Sequence, residues 1–170
     1  MANYLVTGGA GFIGVNSAKY FTEQGWDITI VDDLSRRGTD SNLEWLKAQT
    51  KIDFHKLDIR DHEALARVVG DTKPDALLHL AGQVAVTTSV VDPREDFEIN
   101  AYGTFNVLEA VRLKTITRAS TIYIPPHSVS PVFTGPGSSA SKTRAGWHGL
   151  PASNICTEWC ENTHFMGKRE

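Results

Sequence analysis

An α/β fold built around a doubly wound parallel sheet is what this sequence predicts, and three observations predict it. Short apolar runs rich in β-branched residues alternate with segments of helical periodicity from Asn3 to about residue 124, the pattern of parallel strands joined by helices. The first run, Tyr4-Leu5-Val6, passes into the glycine-rich stretch Thr7-Gly8-Gly9-Ala10-Gly11-Phe12-Ile13-Gly14 and then into a helical pattern. A later run, Ala76-Leu77-Leu78-His79-Leu80, is almost continuously apolar, as suits a parallel strand covered on both faces. Right-handed crossovers then place helices on both sides of the sheet.

The elements follow in order. After the glycine turn, Phe12, Ile13, Ala18, Tyr20 and Phe21 supply the apolar positions of a helix to about Gln24, with Gly25 as its stop. Asp27 to Val31 reads as a short β-branched strand ending at Asp32. Ser41-Asn42-Leu43-Glu44 has the capping-box pattern and predicts a helix through about Gln49. Lys51 to Leu57 alternates and predicts a third strand, closed by Asp58-Ile59; Asp61 then caps a helix whose apolar stripe is Leu65, Val68 and Val69. Pro74 breaks that helix before the buried strand. Strand periodicity points His79 into the layers, which predicts a hydrogen-bonded core histidine rather than a catalyst. Asp92-Pro93-Arg94-Glu95 is a strong helix start. The pattern predicts one helix to about Leu113 with Phe97, Ile99, Phe105, Val107, Leu108 and Val111 mostly inward, its apolar register interrupted by Asn100. Thr121 to Ile124 predicts one more strand.

Composition narrows the field of functions. A chain of 170 residues can build one domain with a real core but not two large ones. A net charge of −3 with 22% charged residues gives no basis for a nucleic-acid partner. No apolar run is long enough to span a membrane, so none is expected as a partner. No signal or transit peptide precedes the first strand, so a cytoplasmic setting is expected. Cys156 and Cys160 both lie near the C-terminus and do not resemble a disulfide framework.

The chemistry resides in the glycine turn. Its spacing satisfies both Gly-x-Gly-x-x-Gly (Gly9, Gly11, Gly14) and Gly-x-x-Gly-x-x-Gly (Gly8, Gly11, Gly14). Such glycines allow a tight turn, a backbone that a pyrophosphate can touch, and a helix packed close to its strand. The helix N-terminus that follows offers unpaired N–H groups and a partial positive charge to phosphates. A dinucleotide-binding, Rossmann-like sheet is therefore predicted. Asp32 stands 18 residues beyond Gly14, near the offset at which a carboxylate accepts hydrogen bonds from the adenosine ribose hydroxyls. A carboxylate there repels the extra phosphate of NADP, so NAD is the expected cofactor. Arg36 and Arg37 leave a 2′-phosphate site open should Asp32 swing away, and an ordinary strand-end acid is the plainer alternative. Ala81-Gly82-Gln83 follows the buried strand at its carboxyl end, where ligands collect in open α/β sheets.

Taken together, these residues resemble the extended short-chain dehydrogenases/reductases, specifically the NAD-dependent nucleotide-sugar epimerases and dehydratases. The carriers are Thr7 to Gly14, Asp32-Asp33-Leu34-Ser35, Asp58-Ile59-Arg60-Asp61, His79-Leu80-Ala81-Gly82-Gln83 and Asn100-Ala101-Tyr102-Gly103-Thr104, and the likeness runs from Ala2 to about Leu113. Gln83 to Ser89 and Asp96 to Asn100 look most like the CDP-paratose (CDP-tyvelose) 2-epimerases. The resemblance implies that Gly8, Gly11, Phe12 and Ile13 hold the pyrophosphate. It implies Asp32, Ser35 and Arg36 at the adenosine ribose, and Asp58 and Ile59 at the adenine. Leu80, Ala81, Gly82 and Gln83 would line the nicotinamide side, with Asn100 supporting the same region. It further implies a nucleotide-sugar substrate, epimerised or dehydrated through a transient keto intermediate, and a homodimer.

The family also uses a tyrosine whose acidity is raised by a lysine four residues later. The tyrosines here are Tyr4, Tyr20, Tyr102 and Tyr123, and none has that lysine. Ser138-Ser139-Ala140-Ser141-Lys142 resembles the motif with Ser138 in the tyrosine slot, and a serine hydroxyl is far too weak an acid for the role. No catalytic residue is assigned. Five of the seven prolines lie from Pro125 onward, where apolar periodicity fades. The expected organisation is therefore an NAD-binding domain over residues 1–124, its sheet incomplete, and an irregular tail over 125–170, disordered or frameshifted. Codons for Ile122 to Pro126, read two nucleotides later, can spell Ile-Tyr-Ser-Ser, and those for Val132 to Gly135 can spell Val-Tyr-Gly. Cys156, Cys160 and His164 could align on one helix face, but without a fourth ligand no metal site is expected.

Overall fold

The computed structural model describes residues 2–114 and 121–123. Five parallel strands form one sheet: β1 (Asn3–Thr7), β2 (Asp27–Asp32), β3 (Asp53–Lys56), β4 (Ala76–His79) and β5 (Thr121–Tyr123). Their order is β3-β2-β1-β4-β5, the Rossmann-like arrangement expected. The chain steps outward from β1 through β2 to β3, then crosses back to β4, so the strand order reverses between β1 and β4. A crevice at the carboxyl ends is inherent in such a switch.

Successive residues of a strand point to opposite faces, and both faces here are covered. Leu5, Val31 and Leu77 pack with Leu65 and Val69 of α3 (His62–Thr72) and Val107 and Val111 of α6 (Thr104–Lys114). On the other face, Tyr4, Val6, Ile28, Ile30, Ala76 and Leu78 pack with Val15 and Ala18 of α1 (Phe12–Glu23) and Leu46 of α2 (Thr39–Lys47). Full burial of a residue such as Leu5 contributes about 2 kcal/mol from apolar transfer alone. Asp61 caps α3 by accepting from Ala64 N at 3.0 Å, and Asp92 caps α5 (Pro93–Phe97) by accepting from Glu95 N at 2.9 Å, both as the sequence predicts.

Two expectations are corrected. The capping box at Ser41 is unused: Gly38, at φ +92°, turns the chain earlier, and Thr39 Oγ1 anchors the start by donating to Arg36 O at 2.7 Å. The single helix from Asp92 to about Leu113 is broken by a π-helical segment, Glu98–Gly103, between α5 and α6. The buried face runs through Asp96, Asn100, Gly103, Val107 and Val111, so Val107 and Val111 are inward as expected, but Phe97, Phe105 and Leu108 lie on the opposite side and face outward. A short helix not predicted, α4 (Val86–Val91), buries none of its residues. Expectations for residues 124–170, including Ser138 to Lys142, the tail and the Cys156, Cys160 and His164 cluster, lie outside the described residues. Among the described residues no group of side chains could hold a metal ion, and no helix is long and apolar enough to cross a membrane.

Candidate functional site

At the switch point the carboxyl ends of β1, β2 and β4 surround a cleft of about 360 Å³. Its floor is the glycine turn. Gly8 sits at φ +69°, and a Cβ there would lie 2.5 Å from Ala81 N and 2.6 Å from Leu80 C, so the backbones of the β1 and β4 ends touch. Only glycine permits both the conformation and the approach. A Cβ on Gly14 would lie 2.6 Å from Gly9 Cα, which is how closely α1 is drawn onto the turn. Gly11 forms the N-terminal boundary of α1 with no side-chain cap, and Phe12 and Ile13 occupy the first turn. A helix's first backbone N–H groups have no acceptor of their own and carry partial positive charge. Phe12 is 78% exposed, so its side chain stands in solvent.

Asp32, at the end of β2 and 8% exposed, is held rigidly. Its Oδ2 accepts from Ala10 N at 3.0 Å and its Oδ1 from Leu34 N at 2.9 Å. Leu34 adopts φ +61° to make that contact, a strained conformation for a branched residue. Burial raises the Asp32 carboxyl above its ordinary range, opposed by those two N–H groups. Each oxygen keeps a lone pair for a further donor. Ser35 and Arg36 continue the cleft wall. Arg36 Nη2 donates to Gln83 Oε1 at 3.4 Å, which spans the two sides of the cleft.

The third wall comes from the segment after β3. Asp58 and Ile59 line the cleft. For Asp58, burial works against the charge but is outweighed by hydrogen bonds from the side chain and backbone of Arg60, which hold the carboxyl below its usual range. Arg60 Nε and Nη2 meet Asp58 Oδ2 at 2.8 and 2.6 Å.

On the β4 side, Leu80, Ala81, Gly82 and Gln83 all line the cleft. Asn100, in the π-helical segment, lies behind them: its Oδ1 accepts from Gln83 N and its Nδ2 donates to Gln83 O, both at 2.8 Å. His79 is the buried core histidine expected. The hydroxyl of Thr104 donates to Asn100 O at 2.6 Å, so His79 Nε2 must donate to Thr104 Oγ1 at 3.0 Å. Nδ1 then accepts from Thr7 Oγ1 at 2.6 Å. Desolvation drops this ring from 6.5 to about 4, and it stays neutral at physiological pH.

Eleven of the predicted site residues line one cleft: Gly8, Gly11, Asp32, Ser35, Arg36, Asp58, Ile59, Leu80, Ala81, Gly82 and Gln83. Phe12 and Ile13 open the adjoining helix. Sequence reasoning missed two buried or half-buried amides that hold the walls. Asn42 Nδ2 donates to Ala10 O at 3.1 Å, and Asn106 Nδ2 donates to Ile59 O and Arg60 O at 3.1 and 3.2 Å. Asn106 carries the same signal as Asn100, a polar residue within an apolar helical register.

The comparisons with known proteins agree with this geometry. The family model described as GDP-mannose 4,6 dehydratase matches residues 5–133. The chain belongs to that family. It is one of the extended short-chain epimerases and dehydratases, as its motifs imply. A CDP-paratose 2-epimerase of Salmonella typhi is 48% identical over 108 residues, 64% of this chain and 32% of the relative. A bifunctional UDP-glucose 4-epimerase and UDP-xylose 4-epimerase of Arabidopsis thaliana is 32% identical over 137 residues, 75% of this chain and 39% of the relative. The crystal structure of UDP-glucose 4-epimerase from Brucella ovis in complex with NAD superposes with a TM-score of 0.61 at 36% identity, over 72% of this chain and 35% of that one. The chain spans about a third of the length of the curated relatives it matches.

Proposed function

We propose that this chain binds NAD as the cofactor-binding part of an enzyme that epimerises or dehydrates a nucleotide-activated sugar. The observation that carries the reading is the pairing, in one cleft, of an uncapped helix N-terminus behind Gly8 and Gly11 with the doubly anchored carboxylate of Asp32. The residues fit a dinucleotide: a Cβ at Gly8 would strike the backbone of Leu80 and Ala81, so the turn puts no side chain over the cleft floor, and the cleft runs from Asp58 to Gln83. Gly8, Gly11 and the first turn of α1 would hold the pyrophosphate. Asp32, with Ser35 and Arg36, would hold the adenosine ribose, Asp58 and Ile59 the adenine, and Leu80 to Gln83 the nicotinamide.

Asp32 also bears on cofactor choice. Two backbone N–H groups and burial keep it from swinging aside, so its charge opposes a 2′-phosphate despite Arg36 and Arg37. When bound, NAD supplies a hydride acceptor at the sugar carbon and returns the hydride, with no net redox change. The chain's own share is to orient the ring and exclude water. The NAD-bound epimerase structures at 36% identity support the cofactor, and the CDP-paratose 2-epimerase relative supports a CDP-sugar.

A second reading, a non-catalytic NAD-binding module, is favoured by the absence of any tyrosine followed four residues on by lysine. We expect no measurable 2-epimerisation of a CDP-sugar by the 170-residue chain, and product in that assay would remove the second reading. Calorimetric titration tests the cofactor: NAD should bind at least tenfold more tightly than NADP. Asp32→Ala should weaken NAD by about 2 kcal/mol, the worth of hydrogen bonds to a charged acceptor. Equal affinities for NAD and NADP would overturn the assignment. A homodimer belongs to the same reading, supported by the outward-facing Phe97, Phe105 and Leu108, and light scattering tests it.

A further inference from the structure

The geometry points to Asp96 as a positioning residue that sets the Gln83 loop for the cofactor by fixing the amide of Asn100, an inference that rests on the NAD reading above. Asp96 does not line the cleft. It is 1% exposed in α5, one turn before Asn100, where the helix widens into its π-helical segment. Its Oδ1 accepts from Ser89 Oγ at 2.7 Å and from Asn100 Nδ2 at 3.1 Å. Both N–H bonds of the Asn100 amide are thereby used, one on Asp96 Oδ1 and one on Gln83 O, while Asn100 Oδ1 takes Gln83 N.

A flipped amide would set oxygen against both Asp96 Oδ1 and Gln83 O, and N–H against the Gln83 N–H. Three contacts therefore select one orientation. Gln83, pinned at its own N–H and C=O, then directs its side chain onto Ala85 N at 3.0 Å and toward Arg36.

Two further observations separate this role from ordinary packing. Asp96 Oδ2 is buried with no hydrogen-bond partner among the described residues. A half-satisfied buried carboxylate is costly to the fold, so its benefit lies in what Oδ1 organises. Helix α4, which buries no residue, meets Asp96 through Ser89. One oxygen thus ties α4 and the Gln83 loop to the same point, beside the cleft wall assigned to nicotinamide.

The test compares two ligands on the 170-residue chain: NAD, and ADP-ribose, which has the adenosine, pyrophosphate and second ribose but no nicotinamide. Asp96→Ala should weaken NAD about fivefold or more, the equivalent of at least one net hydrogen bond, and leave ADP-ribose within about twofold. A parallel loss of both ligands, or no loss of either, would overturn the inference. Should Asp96→Ala fail to fold, Asp96→Glu, which keeps the charge but displaces the acceptor by one methylene, carries the same comparison with the same expected split. Failure of the unmodified chain to bind NAD would sink the cofactor reading and this inference with it. Binding with an unchanged NAD to ADP-ribose ratio would sink the inference alone.

Discussion

The two sides of the cleft are built by different means. On the β1–β2 side, position is fixed by backbone meeting backbone: Gly8 against Ala81 and Leu80, Gly14 against Gly9, and Asp32 locked by two main-chain N–H groups, one from Leu34 beside it and one from Ala10 of the glycine turn. On the β4 side, position is fixed by side chains from other elements: Asn100 on Gln83, Asp96 on Asn100, Ser89 on Asp96. Contacts of the first kind have no slack, because a backbone cannot choose another rotamer. Contacts of the second kind can be released one at a time. Under the proposed reading, the half that grips adenosine and pyrophosphate is rigid, and the half that presents nicotinamide is adjustable. His79 joins the halves, bonded to Thr7 of β1 and to Thr104 at the start of α6.

The sharpest way to break this contrast is Gly8→Ala. The methyl group would meet Ala81 N at 2.5 Å in a left-handed conformation, so a loss on the order of 3 to 5 kcal/mol is expected, with no NAD binding. A thermal midpoint within about 2 °C of the unmodified chain would show that the rigid half has slack after all.

Next in size is a pH effect through the residue that joins the halves. The unfolded His79 ring takes its proton near pH 6.5, whereas the folded ring takes it only near pH 4. Between these values the unfolded state holds more protons, so stability falls as pH is lowered and is fully retained above 6.5. At pH 5 the loss from this group is about 2 kcal/mol. Urea unfolding at pH 7 and pH 5 measures it, and His79→Gln, which lacks the titrating ring, should flatten the difference; an unchanged slope in that variant would assign the effect elsewhere.

The smallest expected effect tests whether side-chain supports matter at all in the rigid half. Asn42→Ala removes one hydrogen bond to Ala10 O and should cost about 1 kcal/mol in stability. It should leave the NAD to ADP-ribose ratio unchanged, unlike Asp96→Ala. A shifted ratio for Asn42→Ala would merge the two halves into one.

Much of this architecture was legible from local patterns, for reasons that differ by element. The glycine turn, the strand ending at Asp32 and the caps at Asp61 and Asp92 are set within a few residues by steric and hydrogen-bonding rules. The Ser41 capping box was misleading because Gly38 and Thr39 offered an earlier start. The run from Asp92 to Leu113 has uniform helical periodicity, and nothing in that period reveals a π-helical turn; it carries apolar residues on two faces, and only packing decided that Asn106 faces in and Phe105 out. Helix α4 escaped notice because it buries nothing and so writes no apolar stripe.

The sequence alone determined the alternation of strands and helices, the parallel sheet and the glycine turn, because each follows from periodicity or from the conformations a residue can adopt. Tertiary structure alone decided that Asp32 is immobile, that Asn42 and Asn106 brace the walls, and that Asp96 stands behind Asn100. Each of those relations depends on at least one partner distant in sequence, Ala10 for Asp32 and for Asn42, Ile59 for Asn106 and Gln83 for Asn100, and a buried polar group acquires its role from the partner that folding brings to it.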